Sequence, residues 1–316
     1  MAEAIRVDVG DDEIGFYGVE KAITLAKPPW SEIPHTGKLE RLILNLGAGK
    51  GRFDEVYGIP RSIGCIGNNH FIMRREKMSE AEIRKVLADF RRLGGEEVWI
   101  TNYDEPEELV RAARLAKEMG VKEVHTTVLL EDVDSVGPID GVKIIVETEY
   151  EPDKVIKAAS IPWISGILVT VDQEKMKEVE ELLSKLDGDG ELELYLDVLY
   201  APSIRETTVN LFELRRSRNP TNKNYHDCLA GTVAVTGDGY ILPCPLMRNY
   251  IIGDARKGGL KYITRKKKLK ELWKLTKDKI DACSTCPFKY MCHDPRAVEY
   301  QVTGQVEGVE YCPLLT

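Results

Sequence analysis

The chain has 316 residues, 43% of them hydrophobic and 30% charged, with a net charge of −8 and an isoelectric point near 5.4. No uninterrupted apolar run approaches the ~18 residues of a membrane-spanning helix, and the N-terminal MAEAIRVDVGDDE lacks the basic and apolar regions of a signal peptide. The acidic balance excludes a general nucleic-acid binder, whose affinity depends on neutralising phosphates, and the expectation is a soluble, cytoplasmic protein with no membrane partner.

Residues 1–38 carry two short apolar patches, IRVDV and IGFYGVEKAITLA, and are expected to form a small β appendage. From Leu39 the pattern turns to strands and helices in alternation. LERLILNLGA reads as a buried strand, followed by a long Gly-rich connection from Gly47 to Arg75. Ser79 with Glu82 three residues on predicts a capping box. Ile83, Val86, Leu87, Phe90 and Leu93 then recur at helical spacing up to the Gly94-Gly95 stop. EEVWIT is the next strand, and Pro106 opens a helix through Leu109, Ala112, Ala113 and Ala116 that Gly120 ends.

VKEVHTTVLL and VKIIVET continue as strands, then come a helix after Pro152, the strand SGILVTV, a helix from Asp172 to Leu186 and the strand ELELYLDVLYA. Six strands mostly separated by helices predict an α/β region with a parallel sheet and right-handed crossovers over 39–202. A closed eight-stranded barrel needs two further units, so the expected form is open or partial. Past Pro202 the composition changes, and residues 203–316 are expected to form a small α+β domain built around cysteines.

Six of the seven cysteines fall in that last third: Cys228 and Cys244, then Cys283, Cys286 and Cys292 in CSTCPFKYMC, and finally Cys312. Cys228 and Cys244 flank a predicted hairpin that turns at Thr236-Gly237-Asp238-Gly239 between TVAV and YIL. A lysine-rich helix with Leu269, Leu272, Trp273, Leu275 and Ile280 on its apolar side leads to Cys283. Thiolates held by a CxxC loop are the soft donors that zinc or an iron–sulfur cluster needs at ~2.3 Å. His226 and His293, beside cysteines, are further donors or ordinary hydrogen-bonded side chains. A high Lys and Glu content with three Gln resembles hyperthermophile composition, which keeps a disulfide framework among the readings.

The spacing from Cys228 through Gly239 to Cys244, the following IGD, the helix with Leu-Trp, the CxxCxxxxxC run and the last cysteine together resemble the SPASM or twitch auxiliary-cluster domain of radical S-adenosylmethionine enzymes. The resemblance implies one 4Fe–4S cluster, or two, in this third of the chain. In the SPASM form Cys283, Cys286, Cys292 and Cys312 make one complete set, and Cys228 and Cys244 are remnants of another, because Arg296 stands where the family has a further cysteine. In the twitch form the set is Cys228, Cys244, Cys283 and Cys286. The SPASM set is favoured. Zinc on four cysteines is the alternative cofactor.

The resemblance further implies that residues 39–202 are the partial (β/α)6 barrel of a radical S-adenosylmethionine enzyme, with CxxxCxxC after its first strand. Only Cys65 is present there, with Gly58 and Ser62 at the other two positions. The family's GGEP segment aligns with Tyr103-Asp104-Glu105-Pro106. Glu105 is thus a candidate for the methionine amine, or a first-turn glutamate favoured by the helix dipole. The expected function is an iron–sulfur protein of this type, non-catalytic or partner-dependent in peptide or protein modification or cofactor maturation, that binds a peptide, protein or redox partner. Active enzymes with unusual cluster ligation and a zinc-stabilised interaction module are the alternatives. The basic stretch 265–279 is the expected contact for an acidic partner surface.

Overall fold

The computed structural model describes residues 28, 30, 35–49, 66–67, 72–186, 192–199, 223–290, 292, 294–310, 312 and 314. The expected β appendage over 1–38, His293 and Cys65 with its flanking positions Gly58 and Ser62 lie wholly or largely outside them.

The alternation read from the sequence is present. Strands β1 (Arg41–Asn45), β2 (Glu97–Thr101), β3 (Glu123–Leu129), β4 (Lys143–Glu149), β5 (Gly166–Asp172) and β6 (Glu193–Leu199) pair in parallel, each with the next. Helix α1 (Glu80–Arg92) starts at the anticipated capping box, in which Ser79 N donates to Glu82 Oε2 at 2.7 Å and Glu82 N to Ser79 Oγ at 3.4 Å. Helix α2 (Pro106–Glu118) begins on its proline and is followed by Gly120 at φ 76°. A one-turn α3 (Val133–Val136), absent from the sequence reading, fills the link from β3 to β4. Helices α4 (Pro152–Ala159) and α5 (Met176–Leu186) complete the alternation.

The described strands of the cysteine segment join this same sheet. Strand β7 (Thr232–Thr236) pairs in parallel with β1, placing Thr236 opposite Asn45, β8 (Tyr240–Leu242) and β9 (Gly253–Asp254) extend the sheet antiparallel, and a one-turn α6 (Ala255–Gly258) follows. One open, mostly parallel sheet results, in the order β6-β5-β4-β3-β2-β1-β7-β8-β9. Sheet continuity thus runs across the boundary expected at 202, and the hairpin turn sits where the sequence placed it.

Alternation along the strands gives the sheet two apolar faces. Leu42, Leu44, Val98, Ile100 and Val124 pack in one cluster with Val86, Phe90, Leu109 and Ala113 of the helices. On the other face Ile43, Trp99, Ile145, Leu168 and Tyr195 share a cluster with Leu229, Leu246, Met247 and Val298 of the cysteine segment. Each such side chain contributes about 1.5–3 kcal/mol when fully buried, so the cysteine segment is bound to the sheet by core contacts. The sheet positions the cysteine segment directly.

The lysine-rich helix is shorter than expected. Helix α7 (Lys267–Trp273) stops because the Trp273 carbonyl, which would accept the Lys277 N–H in a longer helix, accepts the His226 N–H at 2.8 Å instead. Leu275 and Ile280, anticipated on its apolar side, are buried in the irregular chain beyond. The described residues contain no helix long and apolar enough to cross a membrane.

Candidate metal centre

The cysteines lie in or beside short elements of this segment. Cys228 precedes β7, and its N–H donates to His226 Nδ1 at 3.1 Å while its carbonyl accepts from Trp30 Nε1 at 3.1 Å. Cys244 follows β8 and is buried. Cys283 lies in the one-turn α8 (Asp281–Ser284), and its carbonyl accepts the Cys286 N–H at 2.9 Å, the tight loop that CxxC spacing implies. Cys292 N–H caps the next turn on Phe288 O at 2.8 Å, and Cys312 N–H donates to Val309 O at 3.1 Å. Among the described residues no disulfide joins these six cysteines, so the disulfide framework among the sequence readings is not formed there.

Cys283, Cys292 and Cys312 share one electrostatic neighbourhood with Lys277 and Asp294. Burial pushes the Cys283 and Cys292 thiols up, against the pull of the Lys277 ammonium. Both are therefore protonated at neutral pH in the metal-free chain, and metal uptake there must release protons. Asp294 is driven upward by burial, but the Arg296 guanidinium, Lys277 and His226 outweigh this and hold it well below the usual carboxylate range.

A different environment surrounds Cys228 and Cys244. They flank a cavity no larger than a water molecule, closed by Trp30, Leu246, Asp294 and Arg296. Arg296, the first residue of helix α9 (Arg296–Thr303), is 2% exposed and donates to Asp294 Oδ1 at 2.7 Å. His226 is also buried. Its Nδ1 accepts the Cys228 and Leu229 N–H groups, so a neutral ring carries its proton on Nε2, 3.5 Å from Asp294 Oδ2. The described residues contain no group of three or more His, Cys, Asp or Glu side chains at metal-holding distance. The donor chemistry nonetheless fits an iron–sulfur cluster: four cysteines, Cys283, Cys286, Cys292 and Cys312, with no disulfide to break and a cationic neighbour for the charge that thiolates bring.

The carboxyl ends of the parallel strands form a second polar region that the sequence reading missed. Register places Asn45, Thr101, Thr127, Glu147, Thr170 and Asp197 on one face. Glu147 and Asp197 are 0% exposed. Tyr103 OH donates to Glu147 Oε2 at 2.5 Å and accepts from Thr127 Oγ1 at 2.7 Å, and a Cβ on Gly67 would strike the Asp197 carboxylate. Burial first, and then the Glu147 charge, raise the Tyr103 phenol well above its usual value. The signal was in the sequence, because VKIIVETEY and ELELYLDVLY each place an acid within an apolar strand.

Glu105 stands at the N-cap of α2, half-exposed and paired with Lys77, and makes no side-chain cap bond. The first-turn acids are Glu107 and Glu108. Asp104 accepts the Ala48 N–H at 2.6 Å, so the segment aligned with GGEP packs against the end of β1.

No curated protein matches the chain. The family model of the SPASM iron–sulfur cluster-binding domain matches residues 228–287, from Cys228 through Cys286, and does not reach the strand–helix region.

Proposed function

We propose that the cysteine segment holds one 4Fe–4S cluster on Cys283, Cys286, Cys292 and Cys312, and that the chain is a non-catalytic or partner-dependent relative of radical S-adenosylmethionine enzymes. The observation that carries the cluster is the match of residues 228–287 to the SPASM iron–sulfur cluster-binding domain. The choice of ligands is supported by the Arg296–Asp294–His226 network, which fills the space beside Cys228 and Cys244. Such a cluster supplies one-electron transfer when bound. The protein's own residues fix the ligand loops and present the sheet's carboxyl ends to a peptide or protein partner.

A second reading has one observation in its favour: the matched stretch contains Cys228, Cys244, Cys283 and Cys286, the four ligands of the twitch form. Anaerobic reconstitution followed by iron and sulfide analysis separates the readings. Cys286→Ser and Cys312→Ser should abolish the cluster absorption, whereas Cys228→Ser should leave most of it. If Cys312 proves dispensable and Cys228 essential, the twitch set holds the cluster. Stoichiometric zinc without sulfide removes both.

A further inference from the structure

We infer that Arg296 is a positioning residue for the cluster, joining the arm that carries Cys292 to the arm that carries Cys312. This rests on the ligand set just proposed. One guanidinium edge binds Asp294 Oδ1 at 2.7 Å, two residues beyond Cys292. Its other terminal nitrogen donates to Val306 O at 3.1 Å and Gly308 O at 2.6 Å, on the turn that leads into Cys312. One turn along the same helix, Glu299 accepts the Glu310 N–H at 2.9 Å and adds a second tie to that returning chain.

Arg296 thus holds the two arms from one point. The ligand run Cys283–Cys292 and the isolated Cys312 are separated by helix α9, and the left-handed Gly304 at φ 74° turns the chain back after it. Arg296 sits at the start of that helix and reaches past its end, so it spans the gap. The planar fork suits this task, because three acceptors in fixed directions need several N–H groups on one rigid plane, and a lysine ammonium on a flexible stem cannot reproduce them. Arg296 is also anchored on its far side: Asp294 faces His226, whose ring accepts the Cys228 N–H, so the support reaches β7 and the sheet. Outer groups of this kind set the orientation of metal ligands and the tightness of the site.

The test compares the reconstituted full-length chain with Arg296→Lys and Arg296→Ala, using iron content, the rate of iron release to a chelator and the electron paramagnetic resonance spectrum after dithionite reduction. Gly237→Ala, remote from the cysteines, serves as a control for general loss of stability. Arg296→Lys, which keeps the charge beside Asp294, should release iron at least tenfold faster and broaden the spectrum. Asp294→Asn should show a smaller change, since it frees the Cys292 arm alone. Release from both Arg296 variants at the wild-type rate, or accelerated only as much as in Gly237→Ala, overturns the inference and leaves the ligand set standing. A wild-type chain that takes up no iron overturns the ligand set, and the inference with it.

Discussion

The indole of Trp99 and the imidazole of His125 stack with centroids 4.2 Å apart and planes 9° from parallel, on adjacent strands of the sheet's inner face. Burial, and then the Lys143 charge, lower the His125 pKa from 6.5 to about 4, against the opposing pull of Glu193 and Glu123. The folded chain therefore holds this ring neutral where the unfolded chain protonates it.

The sign of the resulting pH dependence follows. Between pH 6.5 and about 4 the unfolded state binds more protons at His125, so this contribution to stability is present above 6.5 and is lost as pH falls through that window. Glu97, 4.0 Å from the ring and itself raised by burial, titrates in the opposite sense, so the comparison must be made by difference. Urea melts of wild type and His125→Gln at pH 7 and pH 4.5 should show the larger acid loss in wild type. Equal losses would show that His125 does not set the dependence.

Gly237, in the turn between β7 and β8, meets the end of β1. A Cβ there would land on the Leu46 carbonyl oxygen, and backbone cannot move aside as a flexible side chain can. Gly237→Ala should cost about 2–3 kcal/mol, in the range of mutations that force such strain. Urea denaturation that shows less than about 0.5 kcal/mol would mean that the hairpin does not press on the parallel sheet.

The isolated chain is expected not to cleave S-adenosylmethionine reductively. Cleavage needs a cluster held by three thiolates with one iron open, and the connection from Gly47 to Arg75 supplies Cys65 alone. Tyr103, in the segment aligned with the family's glycines, is buried against Glu147 and Thr127. Reconstituted protein incubated with dithionite and S-adenosylmethionine should yield no 5′-deoxyadenosine. Catalytic amounts that vanish in Cys65→Ala would make an active enzyme the leading reading.

Between Arg256 and Lys279 nine of eleven Lys and Arg residues are exposed, in a chain whose net charge is −8. Tyr262, half-exposed, lies between Lys261 and Arg265 at 5.1 and 5.5 Å from its ring centre. This surface is proposed to meet an acidic protein partner. Its association should slow as salt rises, since the Debye length shrinks from ~10 Å at 0.1 M to ~3 Å at 1 M. An affinity that is the same at low and high salt would remove this surface from the interface.

The sequence by itself determined every element whose signal is local. Ser79 and Glu82 fixed the start of α1, Pro106 and Gly120 bounded α2, and the turn at Gly237-Asp238 fixed the hairpin. Cysteine spacing pointed to iron–sulfur binding because a CxxC loop sets thiol geometry over four residues. What tertiary structure decided depends on contacts across many residues. Pairing of β7 with β1 joins strands far apart in the chain, and the end of α7 at Trp273 depends on the N–H of distant His226. Spacing put Arg296 where the resembled family has a cysteine but did not announce the burial of its guanidinium, since arginine is ordinarily a surface residue. Only the fold brings Asp294, Val306 and Gly308 within its reach and makes one side chain the junction of two cysteine arms.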